Sequence, residues 1–356
     1  MYTPESPIGA GDRAPDFSLP DRTGAPINLY TKVGGGTPLL IFYPDLTRFS
    51  AEAAQLQNAL GRVSPGEMDL FAIVGASADA LPEIQNGSGG RMFVVADPAG
   101  QTAKAYGFSA GAGTLALRFD PNLRLTALRA AGADAVAHYV ERHLEQSADK
   151  APARLVSTLA PVLIVPHVLS PDFCRELIEL HHAGGNHEST VTYNKDGQDV
   201  REVHPDQKSR FDHVVNDRDL ARRLTEAFGR RLNFEIEKAF QFRVAAHDGF
   251  VITRYNAATN GHFSLHRDNV SPTTAHFRFA VTLNLNFGDY DGGCLRFPEY
   301  GADLYAPETG GAIVFSCSNL HEATPVTSGS RYALLTFLFG AAEAQQLKSA
   351  SPSNAG

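Results

Sequence analysis

Two histidines, one aspartate and one arginine in the last third of the chain have the types and spacing of a metal site. His266 and Asp268 are two residues apart in the stretch HFSLHRDN, and His321 and Arg331 follow further along the chain. In a strand, the H-x-D spacing would place both side chains on the same face. Two histidines and one carboxylate on one triangular face bind Fe(II) and leave three positions open. H-x-D alone is common at polar strand ends, so the prediction depends on His321 joining the pair.

Arg331 predicts an anion site beside this metal. A 2-keto acid would fill two of the open positions through its keto oxygen and adjacent carboxylate, and dioxygen would fill the third. The far carboxylate of the keto acid needs a fixed cation, and the planar fork of Arg331 suits bidentate pairing. Tyr255, before His266 in RYNAATNGHFSLHRD, is a candidate to add a hydroxyl donor. We expect one strand to end at His321 and an antiparallel strand beside it to begin at Arg331, so that both residues reach one cavity.

The elements around these residues predict a mostly antiparallel β domain. The strand-like runs FVITRY, FRFAVTLNLN, AIVFS and YALLTFLF are separated by Gly, Asn and Asp. A helix precedes them, with Ser170 as its cap, Pro171 in its first turn and Asp172 near its positive end. The polar segment 184–210 is long for a connection, which favours a loop that covers the substrate.

The first half of the chain predicts an α/β domain with a partly parallel sheet. Strand-like runs alternate there with helical patterns, and a serine suited to capping opens the first long helix. The predicted elements are strands at 39–43, 70–76 and 91–97, a helix at 50–60, a hairpin at 115–128 that turns at 120–122, and a helix at 133–146.

A chain of 356 residues is long enough for two hydrophobic cores. The small, polar segment before residue 160 places the boundary near Pro152. We therefore expect one domain at 1–150, a second at 151–345 and a flexible tail at 346–356, since the sequence from about Ala341 is rich in Ala, Ser, Gln and Asn.

Composition argues against several classes of partner. The formal net charge is -8 and no basic stripe is present, so we expect neither nucleic acid nor an anionic membrane surface as a partner. No window approaches the roughly 20 apolar residues of a membrane span. The three cysteines, Cys174, Cys294 and Cys317, are far apart, which is typical of reduced thiols and predicts a cytoplasmic protein.

Three runs in the second half resemble the Fe(II)/2-oxoglutarate dioxygenases of the prolyl 4-hydroxylase-like type: RYNAATNGHFSLHRDN, FAVTLNLNFGDYDGGCLRFPEYG and GGAIVFSCSNLHEATPVTSGSRYALLTFLF. The resemblance covers about 161–340 and implies a double-stranded β-helix, or jelly roll, with flanking helices. It implies that His266, Asp268 and His321 are iron ligands and catalytic residues. Arg331 would bind 2-oxoglutarate, and Tyr255 would assist it.

The same resemblance implies an activity. Fe(II), 2-oxoglutarate and O2 would be required, with ascorbate as a candidate reductant. An unactivated C–H bond would be hydroxylated, in a prolyl residue or an amino-acid-derived small molecule, with release of succinate and CO2. The presence of the Asp268 carboxylate favours hydroxylation over halogenation, because halogenating relatives lack it. The partner would be a small-molecule, peptide or protein substrate, and the residues of 184–210 that touch it stay open.

The first half resembles the peroxiredoxins, whose fold is a thioredoxin-like sandwich, over about 11–146 in GDRAPDFSLPDRTGAPINL, LLIFYPDLTRFSAE and DPAGQTAKAYG. Where that family has T-x-x-C, this chain has Thr47-Arg48-Phe49-Ser50, so serine replaces the nucleophilic cysteine. Thr114 aligns with the family's peroxide-binding arginine. We therefore expect a redox-inactive domain that serves homodimerisation, partner docking or the entrance to the other site.

Two other functions remain open at this stage. The peroxiredoxin resemblance allows a peroxide-handling antioxidant, against which Ser50 argues. Both folds also allow a non-enzymatic binding or scaffold protein, against which the complete set of His266, Asp268, His321 and Arg331 argues. The leading hypothesis is the hydroxylase, and the sequence does not name its substrate.

Overall fold

The computed structural model describes residues 8–33, 35–109, 113–130, 132–148, 155–195 and 198–350. The chain separates into two compact units, Met1–Arg154 and Leu155–Gly356. The predicted boundary near Pro152 lies outside the described residues. Within the described ranges, none of the helices combines the length and apolar character needed to cross a membrane.

The first unit is a thioredoxin-like α/β sandwich, as predicted. Its central sheet has the strand order β5-β4-β3-β6-β7, in which β3, β4 and β5 are parallel and β6 and β7 are antiparallel. In chain order the elements are β1 Ser18–Pro20, β2 Pro26–Asn28, α1 Leu29–Lys32, β3 Thr37–Tyr43, α2 Leu46–Leu60, β4 Met68–Val74, β5 Arg91–Ala96, α3 Gln101–Ala105, β6 Leu115–Phe119, β7 Leu125–Arg129 and α4 Ala133–Ala148.

Both faces of this sheet are buried, which explains why its central strands are continuous apolar runs. Leu39 and Ile41 of β3 pack with α2 and α4 on one face, while Leu40 and Phe42 pack in the core on the other. The first long helix begins at Leu46 rather than at the predicted Ser50. Its cap is Asp45, whose carboxylate accepts a 2.8 Å hydrogen bond from the backbone N–H of Arg48.

The described part of the second unit contains four α-helices, two facing sheets and a separate two-stranded hairpin. In chain order its elements are β8 Val162–Val165, α5 Pro171–His182, β9 His187–Glu188, β10 Val191–Lys195, β11 Gln198–Glu202, β12 Lys208–Ser209, β13 Phe211–Val214, α6 Arg218–Arg231, α7 Asn233–Phe240, β14 Ala246–His247, β15 Val251–Asn256, β16 His262–His266, β17 Phe279–Asn284, β18 Tyr290–Gly292, β19 Leu295–Arg296, β20 Leu304–Tyr305, β21 Ala312–Ser316, β22 His321–Ala323, β23 Val326–Phe339 and α8 Ala341–Ala350.

The two sheets form the predicted double-stranded β-helix. The larger sheet has the order β8-β21-β17-β23-β15-β13-β9, with β14 and β18 added to β23. The smaller sheet has the order β12-β16-β22-β19-β20. Ser170 caps α5 as expected, accepting from the backbone N–H of Phe173.

Alternation along β23 separates the core beneath the helices from the interior between the sheets. Leu334 and Leu338 pack in a core that also contains Leu177 of α5 and Leu224 of α6. Arg331, Leu335 and Phe337 instead line a cavity. Because side chains of a strand alternate between faces, one strand supplies both a hydrophobic core and a polar site.

Two segments differ from the expectations. The predicted loop at 184–210 contains strands β9 to β12, of which β10 and β11 form a hairpin. The start of the predicted flexible tail is the helix α8, whose Glu343 pairs with Arg278 at 2.7 Å and accepts from the backbone N–H of Gly340 at 3.0 Å. These contacts tie a segment of low-complexity composition to the sheet. Residues 351–356 lie outside the described residues.

Candidate active site

The two candidate histidine ligands face each other across neighbouring strands of the smaller sheet. His266 ends β16 and is the antiparallel partner of His321, which begins β22. Asp268 lies in a turn just beyond β16. Its backbone N–H donates a 3.0 Å hydrogen bond to the carbonyl oxygen of Cys317. The expectation that strand alternation aligns His266 and Asp268 was therefore wrong. The expectation that a strand ends at His321 was also wrong, because β22 begins there. A turn and a cross-strand pair bring the three residues together instead.

Backbone carbonyls fix the orientation of both imidazoles. The Nδ1 atom of His266 lies 2.7 Å from the carbonyl oxygen of Ser264, and that of His321 lies 3.0 Å from the carbonyl oxygen of Asn319. A carbonyl only accepts, so each Nδ1 donates and each Nε2 keeps a free lone pair. Hydrogen bonds of this kind typically orient the histidine ligands of metal sites.

The Asp268 carboxylate completes a cluster of electron-pair donors. Its two oxygens lie 3.4 Å from Nε2 of His266 and 3.6 Å from Nε2 of His321. Burial acts to raise the pKa of Asp268, but its electrostatic interactions with His321, His266 and Arg210 outweigh burial and lower the pKa. Burial lowers the pKa of His321. An ionised carboxylate and a neutral imidazole are the forms that bind metal.

These three residues fit a divalent cation. Their candidate ligand atoms all lie within 4.8 Å of one another, and the Oδ2 atom of Asp268 is buried without a hydrogen-bond partner among the described residues. A buried charge without a partner is costly, and a cation between the three lone pairs would remove that cost. Two nitrogen ligands and one oxygen ligand with open positions are typical of non-haem Fe(II).

Arg331 lies on the larger sheet, in the middle of β23. It is the cross-strand partner of Tyr255 on β15, and β17 runs along its other side. The expected strand pairing was wrong, because the strand of His321 pairs with β16 and β19 in the smaller sheet. Arg331 and His321 nevertheless line one cavity, as predicted.

Two polar residues of β17 hold the Arg331 guanidinium in place. Its Nε and Nη2 atoms donate to Oδ1 of Asn284 at 3.2 Å and 3.1 Å, and Nη2 also donates to Oγ1 of Thr282 at 3.2 Å. All three side chains are buried. Sequence reasoning missed Thr282 and Asn284, although their period-2 spacing between the buried apolar residues of FAVTLN was a usable signal.

Tyr255 is next to Arg331 but has another hydrogen-bond partner. The Arg331 guanidinium lies 5.4 Å from the centre of the Tyr255 ring. The Tyr255 hydroxyl accepts a 3.1 Å hydrogen bond from Nη1 of Arg210, which is itself paired with Asp212 at 3.0 Å. Its predicted contact with a co-substrate carboxylate stays a prediction.

The metal cluster and Arg331 open into one cavity of about 570 Å³. The polar segment that precedes the core strands contributes Thr190, Val191, Gln207, Lys208 and Arg210 to its lining. This segment therefore reaches the site, as the sequence suggested, although it does so from strands as well as turns.

Comparison with protein families agrees with this geometry. The family model of the 2OG-Fe(II) oxygenase superfamily matches residues 250–339, a stretch that contains His266, Asp268, His321 and Arg331. The second unit contains a 2OG-Fe(II) oxygenase domain. The model of the AhpC/TSA family matches residues 10–123 of the first unit. The predicted resemblances are therefore confirmed for both halves.

Relatives of the oxygenase domain carry hydroxylase names. A PKHD-type hydroxylase of Azoarcus sp. (strain BH72) is 30% identical over 23% of this chain and 39% of its own length. A multifunctional procollagen lysine hydroxylase and glycosyltransferase of Caenorhabditis elegans is 23% identical over 52% of this chain and 25% of its own length. The matched part of the chain thus spans less than half the length of each of these two relatives. A Pseudomonas putida prolyl-4-hydroxylase structure is 16% identical, covers 51% of this chain and 93% of its own, and has a TM-score of 0.38.

In the AhpC/TSA-type unit, the position aligned with the peroxiredoxin nucleophile is an exposed serine within a helix. Ser50 is the fifth residue of α2, and the helix N-terminus is capped by Asp45. Thr114, aligned with the family's peroxide-binding arginine, is buried before β6. A serine hydroxyl cannot pass through the sulfenic acid that peroxide reduction requires.

The metal-free protein is expected to consume hydrogen peroxide no faster than a buffer that contains the same thiol reductant. Burial raises the pKa of Cys174 to about 12 and also raises the pKa of Cys294 and Cys317, so none forms a thiolate readily. Peroxide loss can be followed spectroscopically, with a peroxiredoxin as the positive control. Saturable consumption that disappeared on mutation of one cysteine would contradict this expectation.

Proposed function

We propose that the protein is an Fe(II)- and 2-oxoglutarate-dependent hydroxylase. The observation that carries the proposal is the cluster of His266, Asp268 and His321, whose free ligand atoms face the same cavity as the buried Arg331. The match to the 2OG-Fe(II) oxygenase superfamily and the hydroxylase names of the relatives support it.

Each residue has a separate task in this proposal. His266, Asp268 and His321 hold Fe(II), which, once bound with 2-oxoglutarate and O2, supplies the oxidising power for hydroxylation with release of succinate and CO2. Arg331 pairs with the distal carboxylate of 2-oxoglutarate. Asn284 and Thr282 hold the guanidinium so that little side-chain entropy is lost when the co-substrate binds.

The cavity limits the substrate to a small molecule or to one residue of a peptide or protein. Its volume of about 570 Å³ lies within the range of ligand pockets, and it must also hold the co-substrate. A prolyl residue or an amino-acid-derived molecule fits this space. The net charge of -8 supports such a partner over nucleic acid, and the reduced cysteines support a cytoplasmic location. The AhpC/TSA-type unit supports a homodimer as the assembly.

The first experiment is an anaerobic titration of the metal-free protein with Fe(II) and 2-oxoglutarate, run beside the His266→Ala variant. A visible metal-to-ligand charge-transfer band in the parent alone is the expected result, because 2-oxoglutarate chelates iron only at a site with open positions. Absence of the charge-transfer band from both proteins, with both shown to be folded, would contradict the proposal and favour a binding or scaffold role.

Substitution of Gly293 by alanine is expected to weaken 2-oxoglutarate binding severalfold. Gly293 has a φ of +60°, and an added Cβ would lie 3.0 Å from Cδ of Arg331 and 2.9 Å from Cγ2 of Val326. The methyl group would therefore displace the arginine from its hydrogen bonds.

The matched control is Gly288→Ala. Gly288 has a φ of +98°, but no atom lies within 4 Å of the added Cβ. Both changes introduce backbone strain, on the order of 1 kcal/mol, but only Gly293→Ala should raise the KM for 2-oxoglutarate. Equal KM changes would contradict the steric explanation.

A further inference from the structure

One lysine in the active-site cavity has no role in the proposed chemistry. Lys208 lies on β12, directly opposite Phe263 of β16, the strand that carries His266. Its side chain is only 7% exposed and lines the same cavity as the metal cluster and Arg331. Buried lysines are rare unless they are paired, so this position needs an explanation.

The contacts of the Lys208 ammonium group satisfy it only in part. Its Nζ atom donates to the carbonyl of Thr190 at 2.9 Å and lies 4.7 Å from the centre of the Phe263 ring. Among the described residues, no carboxylate lies within ion-pair distance of it. An ammonium group has three donors. Burial together with the charge of Arg210 lowers the pKa of Lys208 to about 7, and the carboxylates of Asp212 and Asp268, beyond ion-pair distance, offset this only in part.

Among the described cationic side chains that line the cavity, Lys208 is the one without a matching negative charge in the proposed complex. Arg210 pairs with Asp212 at 3.0 Å, and Arg267 pairs with Glu299 at 2.6 Å. With the proposed metal and co-substrate bound, the two charges of Fe(II) and the charge of Arg331 are matched by Asp268 and the two carboxylates of 2-oxoglutarate. One positive charge then remains in a site with a low dielectric constant, where an anion would be bound strongly.

The distance from Lys208 to the metal ligands limits the size of that anion. The Phe263 ring stacks on the His266 ring with 3.5 Å between their centres. Together with the 4.7 Å between Nζ and the Phe263 ring, this places the ammonium within about 8 Å of the His266 ring. A group bound at Lys208 would therefore lie within a few bonds of a substrate carbon held beside the His266 ring.

We propose that Lys208 binds a carboxylate of the substrate, so that the hydroxylated carbon lies a few bonds from that carboxylate. This inference rests on the proposed function and specifies its substrate class: a carboxylic acid of about the size of an amino acid. Burial disfavours the protonated form of Lys208, and a bound anion would stabilise that form.

The test uses the anaerobic full-length protein loaded with Fe(II) and 2-oxoglutarate, so that binding is measured without turnover. The probes are acetate, propionate and N-acetyl-L-proline, each beside its neutral amide. We expect at least one acid, and not its amide, to change the charge-transfer band of the parent. In Lys208→Met the band itself should persist, while the Kd for that acid should rise at least about tenfold, as expected on loss of a hydrogen bond to a charged group. Lys348→Met, which removes an exposed lysine of α8, is the charge-matched control and should behave as the parent.

The possible failures are distinguishable. No band in the parent would overturn the proposed function and this inference together. A normal band with no response to any acid, or with equal responses in the parent and Lys208→Met, would overturn the inference alone. An acid that displaced 2-oxoglutarate would bleach the band in both proteins and would also count against it.

Thermal unfolding gives a second readout. The folded state lowers the pKa of Lys208, so the protonated lysine costs stability below its ordinary pKa, and this cost is present at neutral pH. Lys208→Met should therefore unfold at the same or a higher temperature than the parent. A clear fall in Tm would identify Lys208 as a structural residue and contradict the proposal.

Discussion

Replacement of His321 by alanine is expected to abolish the charge-transfer band and to reduce 2-oxoglutarate decarboxylation by at least about 100-fold. Loss of groups that only orient metal ligands already costs 10- to 100-fold, and His321 is one of the proposed ligands themselves. Its imidazole is buried and oriented by the carbonyl of Asn319, and the metal-ligating cluster found among the described residues contains, besides His321, only His266 and Asp268. Activity can be measured as succinate release, and metal binding by the visible spectrum.

Metal-dependent stability provides a readout that does not require turnover. Metal at 100 times its Kd should stabilise the parent by about 2.7 kcal/mol. This corresponds to a rise of about 5–10 °C in the Tm of the oxygenase unit, at roughly 2–4 °C per kcal/mol. The His321→Ala variant should show little of this rise. Mn(II) serves as the probe because it binds the same type of ligand set without reacting with oxygen as Fe(II) does.

His262→Ala is the matched control for this experiment. His262 is on the same strand as His266, but its ring nitrogens lie 2.7 Å from the carbonyl of Asn260 and 3.1 Å from that of Asp206. The control should keep the band, the activity and the metal-dependent Tm. A His321→Ala protein that bound Fe(II) and 2-oxoglutarate as the parent does would remove the basis of the proposed function.

The candidate site residues could be named from the sequence, but their arrangement in space could be predicted only in part. His266, Asp268, His321 and Arg331 stand in motifs whose order is informative without a structure. Their geometry depends on long-range pairing: His266 meets His321 through a register between β16 and β22, and Asp268 is placed by a backbone hydrogen bond to Cys317. Neither the register nor the turn follows from the H-x-D spacing.

The supporting residues were missed because their role depends on burial and on partners far along the chain. Asn284 and Thr282 look like ordinary polar residues of a strand until β23 brings Arg331 beside them. Lys208 looks like a solvated residue of a polar segment until β12 pairs with β16. The helix α2 was predicted to begin four residues late because both Asp45 and Ser50 are good caps, and local sequence does not choose between them.

Replacement of Arg331 by methionine is expected to raise the KM for 2-oxoglutarate by about 100-fold, since loss of one partner of a buried charge pair costs roughly 2–5 kcal/mol. Arg331→Lys keeps the charge but loses the planar fork, so a smaller rise, of about tenfold, is expected. The control is Arg278→Met, which removes a guanidinium that pairs with Glu343 at 2.7 Å. It should leave the KM for 2-oxoglutarate unchanged.

A structural effect of the methionine must be separated from loss of the anion partner. Arg331→Met also leaves Asn284 Oδ1 and Thr282 Oγ1 without their donor, at a cost of about 1–3 kcal/mol each if they stay unsatisfied. A lower Tm is therefore expected and does not by itself support the assignment. The deciding comparison uses 2-oxopentanoate, a keto acid that lacks the distal carboxylate, as a competitor of 2-oxoglutarate.

If Arg331 binds the distal carboxylate, the parent should prefer 2-oxoglutarate strongly over 2-oxopentanoate, and Arg331→Met should lose most of that preference. General damage to the site would weaken both keto acids by the same factor and leave their ratio intact. Only a residue that contacts the distal carboxylate changes the ratio, because this is the group by which the two compounds differ. An unchanged ratio in Arg331→Met would assign the carboxylate to another cation, and Lys208, Arg210 and Arg267 also line the same cavity.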